Sequence, residues 1–246
     1  MTPINRFTLT RSRALRWLDQ LCGPDVAFTL YVETGTSRAE VEKMLAQSLD
    51  RGETLDALAE KAAASPTGAA IFYLMGKSFV IWPPFPLSET AFCRGYEPGP
   101  FRLMLEKDRQ VGLILIRLGR YSVGVFQGDK LLAGKAGTGL VHARHHQGGS
   151  SANRFARHRE KQMEYFFTRV EGHAREILAP YVRSMDYIMY GGTRDTLQRM
   201  WKQCAFFESL KPKMVDRLIA LREPRRSTFD DALEEAYTST VYEIKM

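Results

Sequence analysis

The sequence predicts an α/β protein in which a first α/β module precedes a second domain built from strands around one long helix. Segments rich in β-branched and aromatic residues alternate with segments of helical periodicity along the whole chain. Apolar residues make up 44% of the 246 residues, which is typical of folded domains. Prolines and glycines cluster at 89–101 without periodicity, so we predict a domain of residues 1–100 and another of 101–246.

The first module is predicted to begin with a helix and to continue with strands and two more helices. Leu15, Leu18 and Leu21 recur at helical spacing and define the apolar face of the first helix. The segment VAFTLYVETG predicts a strand, and helical patterns follow at 37–49 and 54–64. Two strands are then predicted in AAIFYLMGKSFVIW, with a turn at the Gly-Lys pair and a stop at three prolines.

The second domain is predicted to open with consecutive strands in VGLILIRLGR and YSVGVFQGDKLLAGK, followed by an irregular segment, GTGLVHARHHQGGSS. A long helix is predicted at 151–178, then a strand in DYIMYGG, a helix at 194–207, a strand in MVDRLIALR and a closing helix and strand. Residues at three- and four-residue steps form the predicted core stripe of the long helix: Ala152, Phe155, Ala156, Met163, Phe166, Phe167, Val170, Ala174 and Ile177.

Positive charge is concentrated in one segment of a basic chain. The formal net charge is +7, and residues 135–161 contain six Lys or Arg and four of the five histidines against a single acid, Glu160. Solubility alone favours a mixture of both signs, so this asymmetry predicts a polyanionic partner such as RNA. An ordinary solvated helix face is the alternative interpretation of the same charges.

Cysteine usage and hydropathy indicate the compartment. The three cysteines, Cys22, Cys93 and Cys204, are far apart, which favours a reducing environment without disulfides. No apolar run approaches the ~18 to 20 residues that cross a bilayer. We therefore expect a soluble, cytoplasmic protein that acts as a monomer and has no membrane partner.

A pair of glycines precedes the long helix. Gly148 and Gly149 permit positive φ angles and a close approach of backbone N–H groups to a substrate. A flexible loop that ends at a helix cap, Ser150 or Ser151, explains the same pair. Neither GxxxxGK[ST] nor GxGxxG is present, so no nucleotide cofactor is expected.

The histidines near the glycines allow two other chemistries. His142, His145 and His146 could ligate a metal, but no cysteine or carboxylate ligand lies at a usual spacing, so we predict no metal. His145 or His146 could instead act as a general base in RNA cleavage. That possibility stays open.

The segment GGSSANRFARHREKQMEYFFTRV resembles the part of the archaeal and eukaryotic class-1 peptide release factors in which a Gly-Gly-Gln loop precedes a Ser-Ala-x-Arg-Phe-Ala-Arg-x-Arg helix. The preceding VGLILIRLGRYSVGVFQGDKLL and the later MDYIMYGGTRDTL are similar to the strands on either side in that family. The loop also resembles that of the Vms-like release factors of ribosome quality control, in which QGGS is followed by glutamine; here QGGS is followed by Ser151.

The resemblance implies a ribonuclease-H-like catalytic domain with a mixed sheet, whose loop enters the peptidyl-transferase centre of the large ribosomal subunit. There the loop would help to hydrolyse the ester of peptidyl-tRNA, with no cofactor. The implied catalytic set is Gln147, Gly148, Gly149, Ser150 and Ser151. The implied contacts to tRNA and ribosomal RNA are Arg144, His145, His146, Arg154, Arg157, Arg159 and Lys161.

Two features of the chain differ from the family pattern. The position of the family's glutamine carries Ser150 or Ser151, depending on the relative, and Gln147 lies on the other side of the glycines. A backbone N–H can still stabilise an oxyanion whatever side chain it carries. The chain also lacks the Asn-Ile-Lys-Ser tetrapeptide used in stop-codon reading. We therefore expect codon-independent release from stalled large subunits; a binding factor without hydrolytic activity and a tRNA 3′-end nuclease are the alternatives.

Overall fold

The structure, a computed structural model, describes residues 3–21, 25–141, 152–220 and 223–245. It divides into two compact units. The first comprises Met1–Lys107, Val215–Arg217 and Glu234–Met246, and the second comprises Asp108–Met214 and Leu218–Leu233. Each unit combines helices with one sheet, which confirms the predicted α/β class.

The first unit contains a six-stranded sheet and four helices. Its strands are β1 (Ile4–Leu9), β2 (Val26–Val32), β3 (Ala69–Leu74), β4 (Lys77–Trp82), β5 (Ala91–Arg94) and β11 (Ser239–Lys245). Its helices are α1 (Arg11–Leu21), α2 (Arg38–Leu45), α3 (Glu53–Ala63) and α4 (Gly99–Glu106). The strand order is β1-β11-β4-β3-β2-β5, with every pair antiparallel.

Successive residues of β3 and β4 point to opposite faces of this sheet, so the unit has a helical layer on each side. Ile71 and Val80 lie opposite each other and pack in the same core as the apolar residues of α2 and α3. The neighbouring Phe79 faces the other way, and the ring of Trp17 in α1 meets it edge-on with centroids 5.0 Å apart.

Three parts of the first unit differ from the sequence prediction. The strand β1 precedes the first helix, where none was predicted, and it lies at the edge of the sheet with mostly exposed residues. The segment at 89–101, predicted to be irregular, contains β5 and the start of α4. The closing strand β11 pairs with β1 and β4, so it belongs to the first unit, whereas residues 101–246 were predicted to form the second domain. The residue pattern of a strand indicates that the strand forms, but it does not specify which sheet the strand joins.

The second unit contains a five-stranded sheet that is part antiparallel and part parallel. Its strands are β6 (Gln110–Arg117), β7 (Arg120–Gln127), β8 (Lys130–Thr138), β9 (Tyr187–Gly192) and β10 (Met214–Ile219). The middle of β10, Val215–Arg217, groups with the first unit by its contacts, although the strand pairs in this sheet. The strand order is β10-β9-β6-β7-β8; β6, β7 and β8 are antiparallel, and β9 is parallel to β6 and β10. This is a mixed sheet, as the resemblance implies.

Helices of the second unit are α5 (Ala152–Leu178), α6 (Arg194–Gln203) and α7 (Ala205–Leu210), and α8 (Phe229–Ala236) follows later in the chain. The predicted continuous helix at 194–207 is wrong, because the chain leaves helical geometry at Cys204, with φ −117° and ψ 99°. The break lets Cys204 and Phe207, both buried, enter the core of the unit.

Candidate functional site

The C-terminal two-thirds of α5 is anchored on the sheet of the second unit. Met163, Phe166, Phe167 and Val170 recur at helical spacing and are all buried in its core. The ring of Phe166 meets that of Tyr121 in β7 edge-on, with centroids 6.2 Å apart. This packing fixes the direction of the whole helix.

The first turns of α5, residues 154–162, have no buried side chain, and we call this segment the stem. Phe155 is 49% exposed and Ala156 is also exposed, so their assignment to the core stripe was wrong. Ile177, at the other end of the stripe, is half-buried against the core. Periodicity identifies an apolar face, but it does not indicate how far the supporting sheet extends beneath it.

Cations of the stem face solvent. Arg154, Arg157 and Lys161 are exposed, and within the described ranges none of them forms an ion pair with an acid. The one acid of the segment, Glu160, instead accepts a hydrogen bond at 3.2 Å from Arg199 of α6. The stem therefore presents positive charge that its own acid does not neutralise.

The remaining cations of the candidate interface have other surroundings. Arg159 is half-buried and has a further partner within the structure. Lys135 in β8 pairs with Glu176 of α5 at 2.9 Å, which neutralises one charge of the basic segment. The pairing also lowers the pKa of the Glu176 carboxyl, because Lys135 donates a hydrogen bond to it.

The predicted catalytic residues lie outside the described residues, and their roles stay predictions: Gln147, Gly148, Gly149, Ser150 and Ser151. The same holds for Arg144, His145 and His146, which were predicted to contact RNA, and for His142. The structure does describe both chain ends that border them. On one side Val141 packs against the core after β8, and on the other α5 begins at Ala152.

A cleft of about 480 Å³ lies beside the stem. Leu140, after β8, and Tyr165 of α5 contribute the most exposed apolar surface, with 72% and 74% of each residue accessible. The remaining lining residues are Gly139, His158, Lys161, Gln162, Phe166 and Arg169. Gly139, Leu140, His158 and Lys161 belong to the basic segment 135–161, and Lys161 is the one lining residue that the sequence analysis predicted to contact RNA. Tyr165 and Arg169 were missed, although both continue its helical spacing along one face of α5.

His173 lies deeper along α5 and is held by Tyr121, whose hydroxyl shares a hydrogen bond with the imidazole Nδ1. Burial, and then the charges of Lys135 and Arg169, lower the pKa of His173. The lowered pKa favours the neutral imidazole. Its hydrogen bond and stacking with Tyr121 give it an anchoring role rather than a catalytic one.

Two free cysteines lie in the described part of the chain, Cys93, which is partly exposed, and Cys204, which is buried. Burial raises the pKa of the Cys204 thiol to about 12, so the thiolate needed for nucleophilic attack or metal binding is disfavoured. Among the residues that the structure describes, no three His, Cys, Asp or Glu side chains cluster so as to hold a metal ion. Within the same ranges, the helices are too short or too polar to cross a lipid bilayer.

Comparison with known proteins identifies relatives among translation release factors. Peptide chain release factor subunit 1 of Archaeoglobus fulgidus is 28% identical over 132 residues, which cover 54% of this chain and 32% of that protein. The same subunit of Aeropyrum pernix is 24% identical over 168 residues, covering 63% of this chain and 42% of that protein. The chain thus spans about a third of the length of the curated relatives it matches. A crystal structure of the archaeal translation termination factor aRF1 aligns over 93% of this chain and 70% of its own, with 17% identity and a TM-score of 0.42.

The matched relatives define the class of this protein as a release-factor relative. The family model described as "Actinobacteria/chloroflexi VLRF1 release factor" matches residues 109–242, which is more than half of the chain. The chain belongs to this family, which confirms the resemblance seen in the sequence.

Proposed function

We propose that this protein hydrolyses peptidyl-tRNA on stalled large ribosomal subunits and releases the nascent chain without reading a codon. Membership of a release-factor family over residues 109–242 is the observation that carries the proposal. The absence of the stop-codon-reading tetrapeptide from the sequence favours rescue over codon-directed termination. No cofactor is needed, because the attacking nucleophile is water.

In this proposal the backbone of the loop performs the chemistry. Gly148 and Gly149 give the loop the conformational freedom to enter a narrow RNA-walled cavity. The N–H of Ser150 donates to the oxyanion that develops on the ester carbonyl, and such a donor contributes about 10²- to 10³-fold in rate. Serine in place of glutamine keeps this N–H, while Gln147 and Ser151 border the reacting group.

The stem supports the proposal through its position and charge. It directly follows the loop, and it continues a helix whose C-terminal part is anchored by Phe166 and its neighbours. Arg154, Arg157 and Lys161 are exposed and, among the described residues, have no acidic partner, so they are available to phosphates. Arg159, together with Arg144, His145 and His146 of the loop, would extend these contacts to tRNA and ribosomal RNA.

The test is a release assay on purified large subunits that carry peptidyl-tRNA, with the tRNA analysed on a gel. We expect free peptide and intact, deacylated tRNA. A Gly149→Val variant should lose release at least about a hundredfold, since a β-branched residue restricts the backbone and crowds the loop. A Lys202→Gln variant, altered at an exposed residue of α6, is the matched control and should retain full release.

The other outcomes distinguish the remaining hypotheses. If the protein co-sediments with the subunits while the tRNA stays acylated, it is a binding factor, and the serine substitution explains its inactivity. A shortened tRNA would indicate a nuclease that uses His145 or His146. Full release by Gly149→Val would contradict the proposed role of the loop backbone.

A further inference from the structure

The cleft beside the stem has a size and an aromatic lining that no role assigned above uses, and it shares one cation, Lys161, with the stem. Its volume of about 480 Å³ falls within the ~300–1,000 Å³ of typical small-ligand sites. Two of its lining residues, Lys161 and Arg169, are cations without an acidic partner among the described residues, and none of its lining residues is an acid. An anionic occupant is therefore favoured.

The apolar part of the lining is suited to a flat group. Tyr165 is 74% exposed, and Leu140, in the segment after β8, is 72% exposed. Phe166, buried at 1% exposure, also lines the cleft. An aromatic face next to cations is the combination on which unpaired nucleic-acid bases stack while their phosphates are held.

The backbone keeps this cleft open in a defined shape. The N–H of Gly139 donates to the Gly119 carbonyl oxygen at 3.0 Å, which fixes the chain as it leaves β8. A Cβ at Gly139 would lie 2.6 Å from the Phe166 ring, so only glycine allows this close approach. The wall that carries Leu140 is thus positioned by tight packing against the helix.

The cations of the cleft continue those of the stem. His158, Lys161, Tyr165 and Arg169 share one face of α5, and Arg154 and Arg157 precede them along the same helix. From Arg154 to Arg169 the helix rises about 22 Å, enough for several successive phosphates of a single strand. A free nucleotide is too short to contact cations along the whole of this length, whereas an RNA strand is long enough.

We propose that this cleft binds an unpaired nucleotide of an RNA strand, with the base stacked on Tyr165 and its flanking phosphates held by Lys161 and Arg169. Neither the release-factor chemistry nor the loop residues are needed for this contact. The inference rests on the proposed function only for the source of the RNA, which would be tRNA or ribosomal RNA near the loop.

The test measures binding of a fluorescein-labelled single-stranded RNA dodecamer to the full chain by anisotropy, without ribosomes. Tyr165→Ala should weaken binding about tenfold, whereas Tyr165→Phe should bind within about twofold of wild type, because the ring is what stacks. Lys161→Gln with Arg169→Gln should flatten the slope of log affinity against log salt by about 1.4. Lys202→Gln is the matched control. Tyr165 is 74% exposed, so its loss should not unfold the chain.

Competition and crosslinking identify the occupant. Single-stranded RNA should displace the probe at far lower concentration than the same sequence as a duplex, than uridine monophosphate, or than poly-glutamate. A dodecamer that carries one 4-thiouridine should crosslink within residues 158–169. The proposal is overturned if Tyr165→Ala binds like wild type, if poly-glutamate competes as well as RNA, or if the crosslink maps to another part of the chain.

Failure of this inference and failure of the proposed function are distinguishable. Tyr165-dependent RNA binding by a protein that releases no peptide would overturn the proposed function alone. Peptide release by a protein whose RNA binding is insensitive to Tyr165 would overturn the inference alone.

Discussion

Replacing Arg154, Arg157 and Lys161 together with glutamine should weaken the salt dependence of RNA binding without destabilising the protein. All three side chains are exposed on the stem and, among the described residues, lack acidic partners. Surface substitutions of this kind usually change the free energy of unfolding by no more than ~0.5 kcal/mol. The variant should therefore melt at the wild-type temperature.

The size of the effect on binding follows from the number of charges removed. Each phosphate contact to a single strand contributes about 0.7 to the slope of log affinity against log salt, so three contacts contribute about two. Between 50 and 200 mM salt, wild-type affinity should then fall roughly fifteen- to twentyfold more than that of the variant. A solvated helix face that touches no RNA would give no difference.

The assay is anisotropy of the labelled RNA dodecamer at several salt concentrations, with thermal melts of each protein in parallel. The matched control replaces Lys130, Arg183 and Lys202 with glutamine. These are exposed in the same unit and likewise lack ion pairs within the described ranges. An equal loss of slope in the control would mean that net charge, and not the stem, attracts RNA. An unchanged slope in the stem variant would refute the interface.

Three further predictions concern stability. Phe166→Ala removes a fully buried ring of the second unit and should cost about 3–5 kcal/mol in denaturant unfolding; a loss below 1 kcal/mol would contradict the anchoring of α5. Gly192→Ala should destabilise by about 2 kcal/mol or more, because φ is 151° and a Cβ would lie 2.2 Å from the Ile116 carbonyl oxygen; a neutral effect would exclude this backbone geometry. Since the pKa of His173 is lowered in the folded state, the unfolded chain takes up its proton first, and stability should fall as pH drops through the ordinary histidine pKa of about 6.5. Urea titrations from pH 8 to 5 should show this fall in the free energy of unfolding in wild type and not in His173→Gln. Identical pH profiles for the two proteins would refute the role of His173.

The local patterns of the sequence predict much of the fold because they reflect local physics. The long helix was predicted at 151–178 and is found at Ala152–Leu178, since its apolar spacing and flanking glycines are properties of the chain itself. The strand pair β6 and β7 follows in the same way from dense β-branched residues around a Gly turn. The break at Cys204 could not be predicted, because it depends on core space that the spacing of residues does not encode.

The candidate site was predictable only in part, because it also depends on contacts between residues that are far apart in the sequence. The charge of Arg154, Arg157 and Lys161 is visible in the sequence, but their freedom from acids depends on Glu160 reaching Arg199, 39 positions away along the chain. Likewise, Tyr165 has the helical spacing of an ordinary surface residue. Its place in a cleft arises only when the segment after β8 is packed against α5.

The division of α5 into an anchored part and an unsupported stem links the fold to the proposed chemistry. A helix whose C-terminal part is fixed by buried aromatic residues cannot pivot freely, so its N-terminal turns keep a defined direction. The stem thereby extends the helix by about 13 Å beyond its first buried residue, Met163, without the conformational entropy of an extended linker. The exposure of Phe155, at 49%, follows from the lack of a supporting sheet beneath the stem. Under the proposed function, the same lack of cover leaves the surface of the stem accessible to RNA.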